Sequence, residues 1–172
     1  MNSASESHDE LYRELFTPLF RYFMFRTRDY NLATDLVQTV FLKFLQSDYR
    51  AREHDHNTRS LFIIARNTLI DHWRSNGRRP TSSLEESSIE PASDIPTPLE
   101  EFRTNEDVLV VQEALSTLSD LEQDIVMLRI ATELDYKDIA ELVNESPDNT
   151  RQIYSRALKK LKVYLENKNI YG

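Results

Sequence analysis

Residues 134–165 constrain the fold more than any other segment, because they have the pattern of two helices joined by a tight turn. Asp135 is a capping residue in front of the first helix, and an acid near a helix start also suits the helix dipole. The apolar face of that helix is expected to contain Ile139, Ala140, Leu142 and Val143. Ser146 and Pro147 form a second start signal, since proline at the first helical position loses no hydrogen bond. The stretch therefore predicts a helix-turn-helix.

The second helix of this pair is expected to be apolar on one side and basic on the other. Six Lys or Arg residues but only one acid, Glu166, follow residue 149, in a chain whose net charge is −8. The apolar side is expected to contain Ile153, Ala157, Leu158, Leu161 and Leu165. The polar side offers groups that bind base edges and phosphates, namely Arg151, Gln152, Ser155, Arg156 and Lys159. A helix-turn-helix presents such a helix to the DNA major groove, although an ordinary amphipathic helix with a solvated basic face has the same local pattern.

The composition favours an all-α protein. Two glycines and few β-branched runs in 172 residues argue for helices, and the length suits one or two small domains. The lack of cysteine excludes disulfides, cysteine zinc sites and thiol catalysis, and it agrees with a reducing cytoplasm. The polar, acidic N-terminus does not have the pattern of a signal peptide. No apolar run approaches the ~20 residues that span a bilayer, so no membrane insertion is expected.

Three amphipathic helices are predicted in the first half of the chain. They span about residues 8–26, 32–47 and 59–75. A capping box at Ser7–Glu10 opens the first helix, and Pro18 inside it is expected to kink or break it. Asn31 is expected to cap the second helix, and Gly77 to end the third. Residues 48–58 are polar and charged, and they predict a loop.

The end of the third helix combines an aromatic residue with basic ones. Trp73 lies beside Arg74, and Arg78 and Arg79 follow closely. Aromatic side chains that stack on bases, next to cations that bind phosphates, are typical of single-stranded nucleic-acid surfaces. For Trp73 itself, a place in the core is the simpler expectation.

An acidic linker is predicted to divide the chain into two domains. Residues 80–97 are rich in proline, serine and acids, which is a linker composition. Eight Asp or Glu but one Arg fall within residues 81–107, so an acidic connector accounts for most of the net charge. The predicted domains are residues 8–79 and 98–168. Capping boxes at Thr97–Glu100 and Ser119–Glu122 are expected to open the first two helices of the second domain, the first of them running to about residue 118.

The order of these segments resembles the extracytoplasmic-function (ECF) subfamily of bacterial RNA polymerase sigma factors. Residues 35–42 (DLVQTVFL) resemble the family's polymerase-binding segment. Residues 62–74 (FIIARNTLIDHWR) resemble its promoter-melting helix, which reads the −10 element. Residues 115–158 resemble its module for the −35 element. Each motif alone is only moderately specific, but three in the right order with the right gap are a strong signal.

The resemblance implies a fold, a function and a set of contact residues. The fold would be two small helical domains, a region 2-like one and a region 4-like helix-turn-helix module, joined by a flexible acidic linker. The residues implied for binding core polymerase are Asp35, Leu36, Gln38 and Phe41. Those implied for the −10 element are Arg50, Arg52, Arg59, Arg66, Asn67, Arg74, Arg78 and Arg79. Those implied for the −35 element are Asn149, Arg151, Gln152, Ser155, Arg156 and Lys159.

The implied partners are core RNA polymerase, through the clamp helices of its large subunit and its flap, promoter DNA, and an anti-sigma factor in members of the family that have one. The protein would locate to the cytoplasm, with the nucleoid when in holoenzyme, and would be no enzyme, with no cofactor and no metal. One departure concerns the turn, where Asn144 and Glu145 replace the usual glycine and apolar residue. Asparagine tolerates the left-handed conformation better than most residues, so the departure bears on promoter specificity and leaves the fold expectation unchanged.

Other functions remain open from the sequence alone. An autonomous two-domain helix-turn-helix regulator would explain the second domain but not the first. An enzyme is disfavoured, because no glycine-rich phosphate loop or nucleophile motif occurs. His54 and His56 are closely spaced, but they have no clear further metal ligand. An adaptor or an anti-sigma factor would not need a basic recognition helix.

Overall fold

Amphipathic periodicity leads to helices throughout the part of the chain that is described. The structure is a computed structural model, and it describes residues 3–47, 54–77 and 106–168. Within these ranges there are seven helices and no strand: α1 (Ser3–Thr27), α2 (Tyr30–Gln46), α3 (His54–Asn76), α4 (Glu106–Ser116), α5 (Asp120–Ala131), α6 (Tyr136–Val143) and α7 (Pro147–Asn167). The predicted linker, residues 80–97, and the capping box at Thr97–Glu100 lie outside the described residues. The all-α fold is confirmed.

Helices α1, α2 and α3 form the first unit, around an aromatic core. The rings of Tyr22 and Phe62 meet edge to face, with centroids 5.9 Å apart. Phe44 and Phe23 are fully buried around them. At the edge of this unit, the Lys43 ammonium donates to the Thr68 hydroxyl at 3.1 Å, which ties α2 to α3.

The N-terminal ends of these helices differ from the sequence predictions. α1 begins at Ser3, so the predicted capping box at Ser7–Glu10 lies inside it, and α1 continues through Pro18 without a break. Burial of Leu19 and Phe20 next to the proline holds the helix against the core, which offsets the missing N–H. α2 begins at Tyr30, two residues earlier than expected. Its cap is Asp29, whose carboxylate accepts from the Leu32 N–H at 3.0 Å.

α3 also begins earlier than predicted. It starts at His54, so the last part of the predicted polar loop 48–58 is helical, while residues 48–53 lie outside the described residues. Polar side chains in a first helical turn are compatible with a helix that gains its stability from later burial. Its end agrees with the sequence prediction, because α3 stops at Asn76 and Gly77 takes a positive φ of 64°.

Helices α4 to α7 form the second unit, and its caps follow the sequence closely. The Ser119 hydroxyl accepts from the Glu122 N–H, and the Glu122 carboxylate accepts from the Ser119 N–H at 2.8 Å. Asp135 accepts from the N–H of Asp138 at 2.8 Å at the start of α6. The helix-turn-helix formed by α6 and α7 is thus confirmed, with Ser146 as the cap of α7.

Asn144 ends α6 in the left-handed conformation, with φ 58° and ψ 49°. The N–H of Glu145 donates to the Ala140 carbonyl at 2.9 Å, which closes the turn. Asparagine is one of the few non-glycine residues that adopt this conformation readily. The departure from the family's glycine therefore preserves the turn geometry.

The two units pack against each other. Helix α1 contacts α5, and α3 contacts α6. The buried apolar residues of both units form one continuous cluster. None of the described helices combines the length and the apolar character needed to cross a bilayer.

Candidate nucleic-acid interface

One face of α2 is exposed and carries both polar and apolar groups. Asp35 and Gln38 point to solvent, as do Leu42 (59% exposed) and Leu45 (37%). These four positions are three or four residues apart, so they lie on a single face of the helix. Leu45 is exposed although it is apolar, because it lies three residues after Leu42 on the same face of the helix.

The other two polymerase-binding candidates on α2 face the core. Leu36 is buried, and so is Phe41 (8% exposed), whose ring centroid lies 4.6 Å from that of Tyr12. The structure therefore brings Asp35 and Gln38 together on the accessible face and leaves only an edge of Phe41 accessible. Their role stays a prediction.

The −10 candidates on α3 fall into two groups. Asn67 and Arg74 are exposed, and Arg74 lies 3.8 Å from the Asp71 carboxylate. Arg59 and Arg66 instead point toward the second unit. Arg50, Arg52, Arg78 and Arg79 lie outside the described residues.

Arg59 is held by two acids of α6. Its guanidinium lies 3.3 Å from the Asp138 carboxylate and also pairs with Glu141. The side chains of Arg59 and Asp138 are about one-third exposed. Because water screens such pairs, each contributes little stability by itself, but both cross between the two units.

Asp124 on α5 is the centre of a buried polar network. Its carboxylate accepts from the Tyr22 hydroxyl at 3.1 Å and from Arg66 Nε at 3.1 Å. Arg26 Nε lies 3.4 Å away, close enough for an ion pair, but it forms no hydrogen bond. All three partners of the carboxylate belong to the first unit, so Asp124 connects α5 to α1 and α3 at one point.

Burial is nearly complete around this carboxylate. Asp124 is 5% exposed, Arg26 6% and Tyr22 0%. Burial and the neighbouring negative charge of Asp124 raise the pKa of Tyr22 well above its ordinary value, while the charge of Arg26 opposes the rise. The Tyr22 hydroxyl therefore stays protonated and donates a hydrogen bond to Asp124 over the whole physiological pH range.

Arg26 has further partners that hold it in place. Its Nη1 donates to the Gln123 side-chain oxygen at 2.7 Å and lies 3.5 Å from Asp120. Its guanidinium also lies over the ring of Trp73, 4.8 Å from the centroid. As expected, Trp73 packs against the core. Its ring adds one more contact that holds the Arg26 guanidinium in place.

Helix α7 presents its polar face outward. Arg151, Gln152, Ser155, Arg156 and Lys159 are all exposed, and their spacing places them on one side of the helix. On the other side Ile153 and Ala157 are buried and Leu161 packs partly against the core. Leu158 was expected in the core, but it is 39% exposed. Its position differs by about 100° from that of Ala157, which carries it toward the polar face.

Tyr136, which the sequence analysis missed, lies between two arginines at the start of α6. The guanidiniums of Arg129 and Arg151 lie 5.1 and 5.2 Å from its ring centroid. Arg151 also lies 3.5 Å from Asp148, so two contacts hold it at the solvent edge of α7. The remaining −35 candidate, Asn149, is half-buried and donates to Glu145 at 2.6 Å.

Two acidic residues of the second unit, Glu122 and Glu113, bind the C-terminal part of α7. Burial tends to raise the pKa of Glu122, but hydrogen bonds from Lys160 and Ser119 outweigh it, and the net pKa is lowered. Hydrogen bonds from Tyr164 and Lys168 lower the pKa of Glu113 on α4. Both carboxylates are therefore ionised at neutral pH, and they orient α7. No group of three or more potential metal ligands occurs within the described ranges.

Comparison with known proteins agrees with this arrangement. The model of Sigma-70 region 2 matches residues 11–79, and that of Sigma-70, region 4 matches residues 114–163. The chain is 27% identical over 156 residues to the ECF RNA polymerase sigma factor SigM of Bacillus subtilis (strain 168), covering 90% of this chain and 92% of SigM. The chain belongs to the ECF sigma factors.

A second relative and one solved structure are also similar to this sigma factor. The RNA polymerase sigma factor YlaC of Bacillus subtilis (strain 168) is 26% identical over 157 residues, which is 91% of each chain. Among solved structures, the sigma factor RpoE from Bartonella quintana, in complex with the anti-sigma factor NepR, matches with a TM-score of 0.65 and 22% identity. That match covers 96% of this chain and 98% of the other, and it supports the fold of the whole sigma factor.

The network around Asp124 could not be found from sequence in this sigma factor. Its partner Tyr22 is 102 positions away along the chain. The one local signal is an acid directly before the apolar run Ile125 to Leu128. Such an acid is expected at the edge of the apolar face of a helix. Nothing in the neighbouring sequence indicates that Asp124 is buried or that it pairs with an arginine.

We predict that Tyr22→Phe lowers the free energy of unfolding by about 1–2 kcal/mol, because Asp124 loses a buried hydroxyl donor. The measurement is urea unfolding followed by circular dichroism. Tyr12→Phe is the matched control, since Tyr12 is 40% exposed and only ring contacts are described for it. Equal midpoints for the two variants would mean that the hydroxyl contributes nothing to the network.

Proposed function

We propose that this ECF sigma factor binds core RNA polymerase through the exposed face of α2, reads the −10 element with α3 and reads the −35 element with α7. The main support is that one chain matches both region 2 and region 4. In addition, α2, α3 and α7 each have an exposed polar face. An autonomous regulator would not need the first of these units.

The proposed activity is one of binding and positioning. α2 would meet the clamp helices of the large polymerase subunit, and the second unit would also meet the flap. The polar face of α7 would enter the major groove, while bases of the melted −10 strand would be held by polar and basic groups on α3. No covalent bond is made or broken in this role. The expected location is the cytoplasm, with the nucleoid when the protein is in holoenzyme.

The proposed domain boundaries are residues 8–79 and 98–168, with residues 80–97 as an acidic linker. The first contains the helices proposed for polymerase and for the −10 element, and the second contains the helix-turn-helix. The solved relative of the same fold is bound to an anti-sigma factor. Control of this protein by such a partner is part of the proposal.

The direct test is run-off transcription with bacterial core polymerase on fragmented genomic DNA of the source organism. We expect discrete transcripts that depend on this protein and that start downstream of a shared two-part promoter. Tight, specific binding of the protein alone to duplex DNA, without new transcripts, would contradict the proposal and favour an autonomous regulator.

We expect Asp35→Ala combined with Gln38→Ala to weaken binding to core polymerase without loss of folding, because both side chains are exposed on α2. Pull-down with core polymerase measures the effect. Asp71→Ala combined with Asn76→Ala is the control, since it removes the same two chemical groups from exposed positions on α3. If a folded Asp35/Gln38 variant binds like the control, the exposed face of α2 is not the polymerase contact.

We expect Arg151→Ala to reduce discrimination at one base pair of the −35 element by about 1–3 kcal/mol, as for loss of a good base contact. Tyr136→Leu should act at the same base pair but more weakly, by about 0.5–1 kcal/mol, because the ring holds the Arg151 guanidinium. Tyr136→Phe keeps the ring and is the control. The measurement is transcription from templates with single base changes. Equal weakening on every template would instead identify Arg151 as a phosphate contact.

A further inference from the structure

The turn between α6 and α7 contains an acid, Glu145, whose side chain contacts the start of α7. Glu145 is half-buried, and its carboxylate accepts a hydrogen bond from Asn149 Nδ2 at 2.6 Å. Asn149 is the third residue of α7 and is one of the residues proposed to bind the −35 element. A side chain proposed to contact a base is therefore held by a neighbour within its own unit.

The backbones of both residues are fixed by the turn. The N–H of Glu145 donates to the Ala140 carbonyl at 2.9 Å. The N–H of Asn149 donates to the Ser146 hydroxyl at 3.2 Å, as part of the cap of α7. With both backbones fixed, the hydrogen bond between the two side chains sets the direction in which the Asn149 amide faces.

The chemistry of the pair decides which end of the amide faces the acid. An asparagine amide has an oxygen that accepts and an NH2 group that donates, whereas the oxygens of an ionised carboxylate only accept. Turning the amide by 180° would place Oδ1 of Asn149 against an oxygen of Glu145 with no proton between them. The amide nitrogen therefore points toward Glu145, and Oδ1 points away from it.

Asn149 begins a polar face of α7. Gln152 and Arg156 follow it by three and seven positions, which places all three residues on one side of the helix. Gln152 and Arg156 are exposed. In a helix-turn-helix, the first residues of the second helix are the ones that contact base edges in the major groove. The orientation of the Asn149 amide thus bears on which base this face accepts.

We propose that Glu145 is a positioning residue that makes Asn149 present Oδ1 to the major groove, so that Asn149 selects a base with an exocyclic amino group. This inference rests on the proposed function, since it concerns how the −35 element is read. In the major groove, adenine N6 and cytosine N4 are donors, while guanine O6 and thymine O4 are acceptors. The second N–H of Asn149 can also donate to adenine N7, so adenine is the preferred base.

The first test changes Glu145 and measures base preference. Glu145→Gln keeps the length of the side chain, but its amide can donate or accept, so the Asn149 amide can face either way. We expect the preference for adenine or cytosine over guanine or thymine to fall from about tenfold to about twofold at one base pair. The measurement is run-off transcription from promoter templates with single base changes across the −35 element.

Two further variants separate orientation from charge. Glu133→Gln removes the same charge from an exposed position in the loop between α5 and α6, and it should affect all templates alike. Glu145→Leu removes the acceptor altogether, so it keeps the test decisive if the amide introduced by Glu145→Gln still accepts from Asn149. We expect Glu145→Leu to reduce the base preference at the same base pair as Glu145→Gln.

A double-mutant cycle tests whether Glu145 acts through Asn149. Asn149→Ala alone should remove the preference at this base pair. In the Asn149→Ala background, Glu145→Leu should cause no further change there, because the amide that it orients is gone. Effects that simply add would mean that the two residues act independently, and this would overturn the positioning role.

Nuclear magnetic resonance of the free, full-length protein gives a readout without polymerase or DNA. The side-chain amide signals of Asn149 are identified by their loss in Asn149→Ala. We expect one of the two amide protons to resonate downfield, as for a hydrogen bond to a carboxylate, and to move upfield after Glu145→Leu. Glu133→Gln should leave both signals in place.

The outcomes distinguish this inference from the proposed function. Asn149 signals that do not respond to Glu145→Leu, or equal weakening of all templates by Asn149→Ala, would overturn the inference while transcripts still depend on the protein. Absence of transcripts with every variant would overturn the proposed function, and the base reading by Asn149 with it. Loss of preference at one base pair, shared by the Glu145 and Asn149 variants, would support the inference.

Discussion

The carboxylate of Asp124 is buried between two helical units, and the relation between the units depends on it. A charge in that position is stable only with compensating partners, because desolvation of an ion is costly. Tyr22, Arg26 and Arg66 provide them. Loss of any of these contacts would leave an uncompensated polar group at the centre of the interface. The network thus specifies one arrangement of the two units among the many that apolar contact alone would allow.

The same chemistry links architecture to function. An arginine that binds a phosphate also binds a carboxylate, since both offer planar or clustered anionic oxygens. In the structure, acids of the second unit pair with two arginines of the first unit, Arg59 and Arg66. Both arginines are also proposed to bind the −10 element, so the same side chains would serve the contact between the units and the proposed contact with DNA.

The position of the basic helix α7 depends on contacts other than the Asp124 network. Its polar face, which is proposed to read bases, is exposed, while contacts at its ends and sides set its position. Glu122 and Glu113 anchor its C-terminal half, and Ser146 caps its start. Tyr136 holds Arg151 at the surface between these anchors. Contacts within the second unit therefore orient α7 and leave its polar face exposed.

The sequence by itself determined the local structure of this protein. Periodic apolar residues and caps such as Ser119, Asp135 and Ser146 specified helices and a helix-turn-helix, because they act within one or two turns. Local signals were less reliable where burial decided, as at Pro18 and at Leu158. Candidate residues on α2 and α7 could be named, but which of them are accessible could not, since Phe41 and Leu42 are neighbours with opposite exposure. Only the tertiary structure decided that Arg59 and Arg66 pair with Asp138, Glu141 and Asp124. Those partners are 58 to 82 positions away, and no local pattern records which distant charges will meet when two helical faces pack.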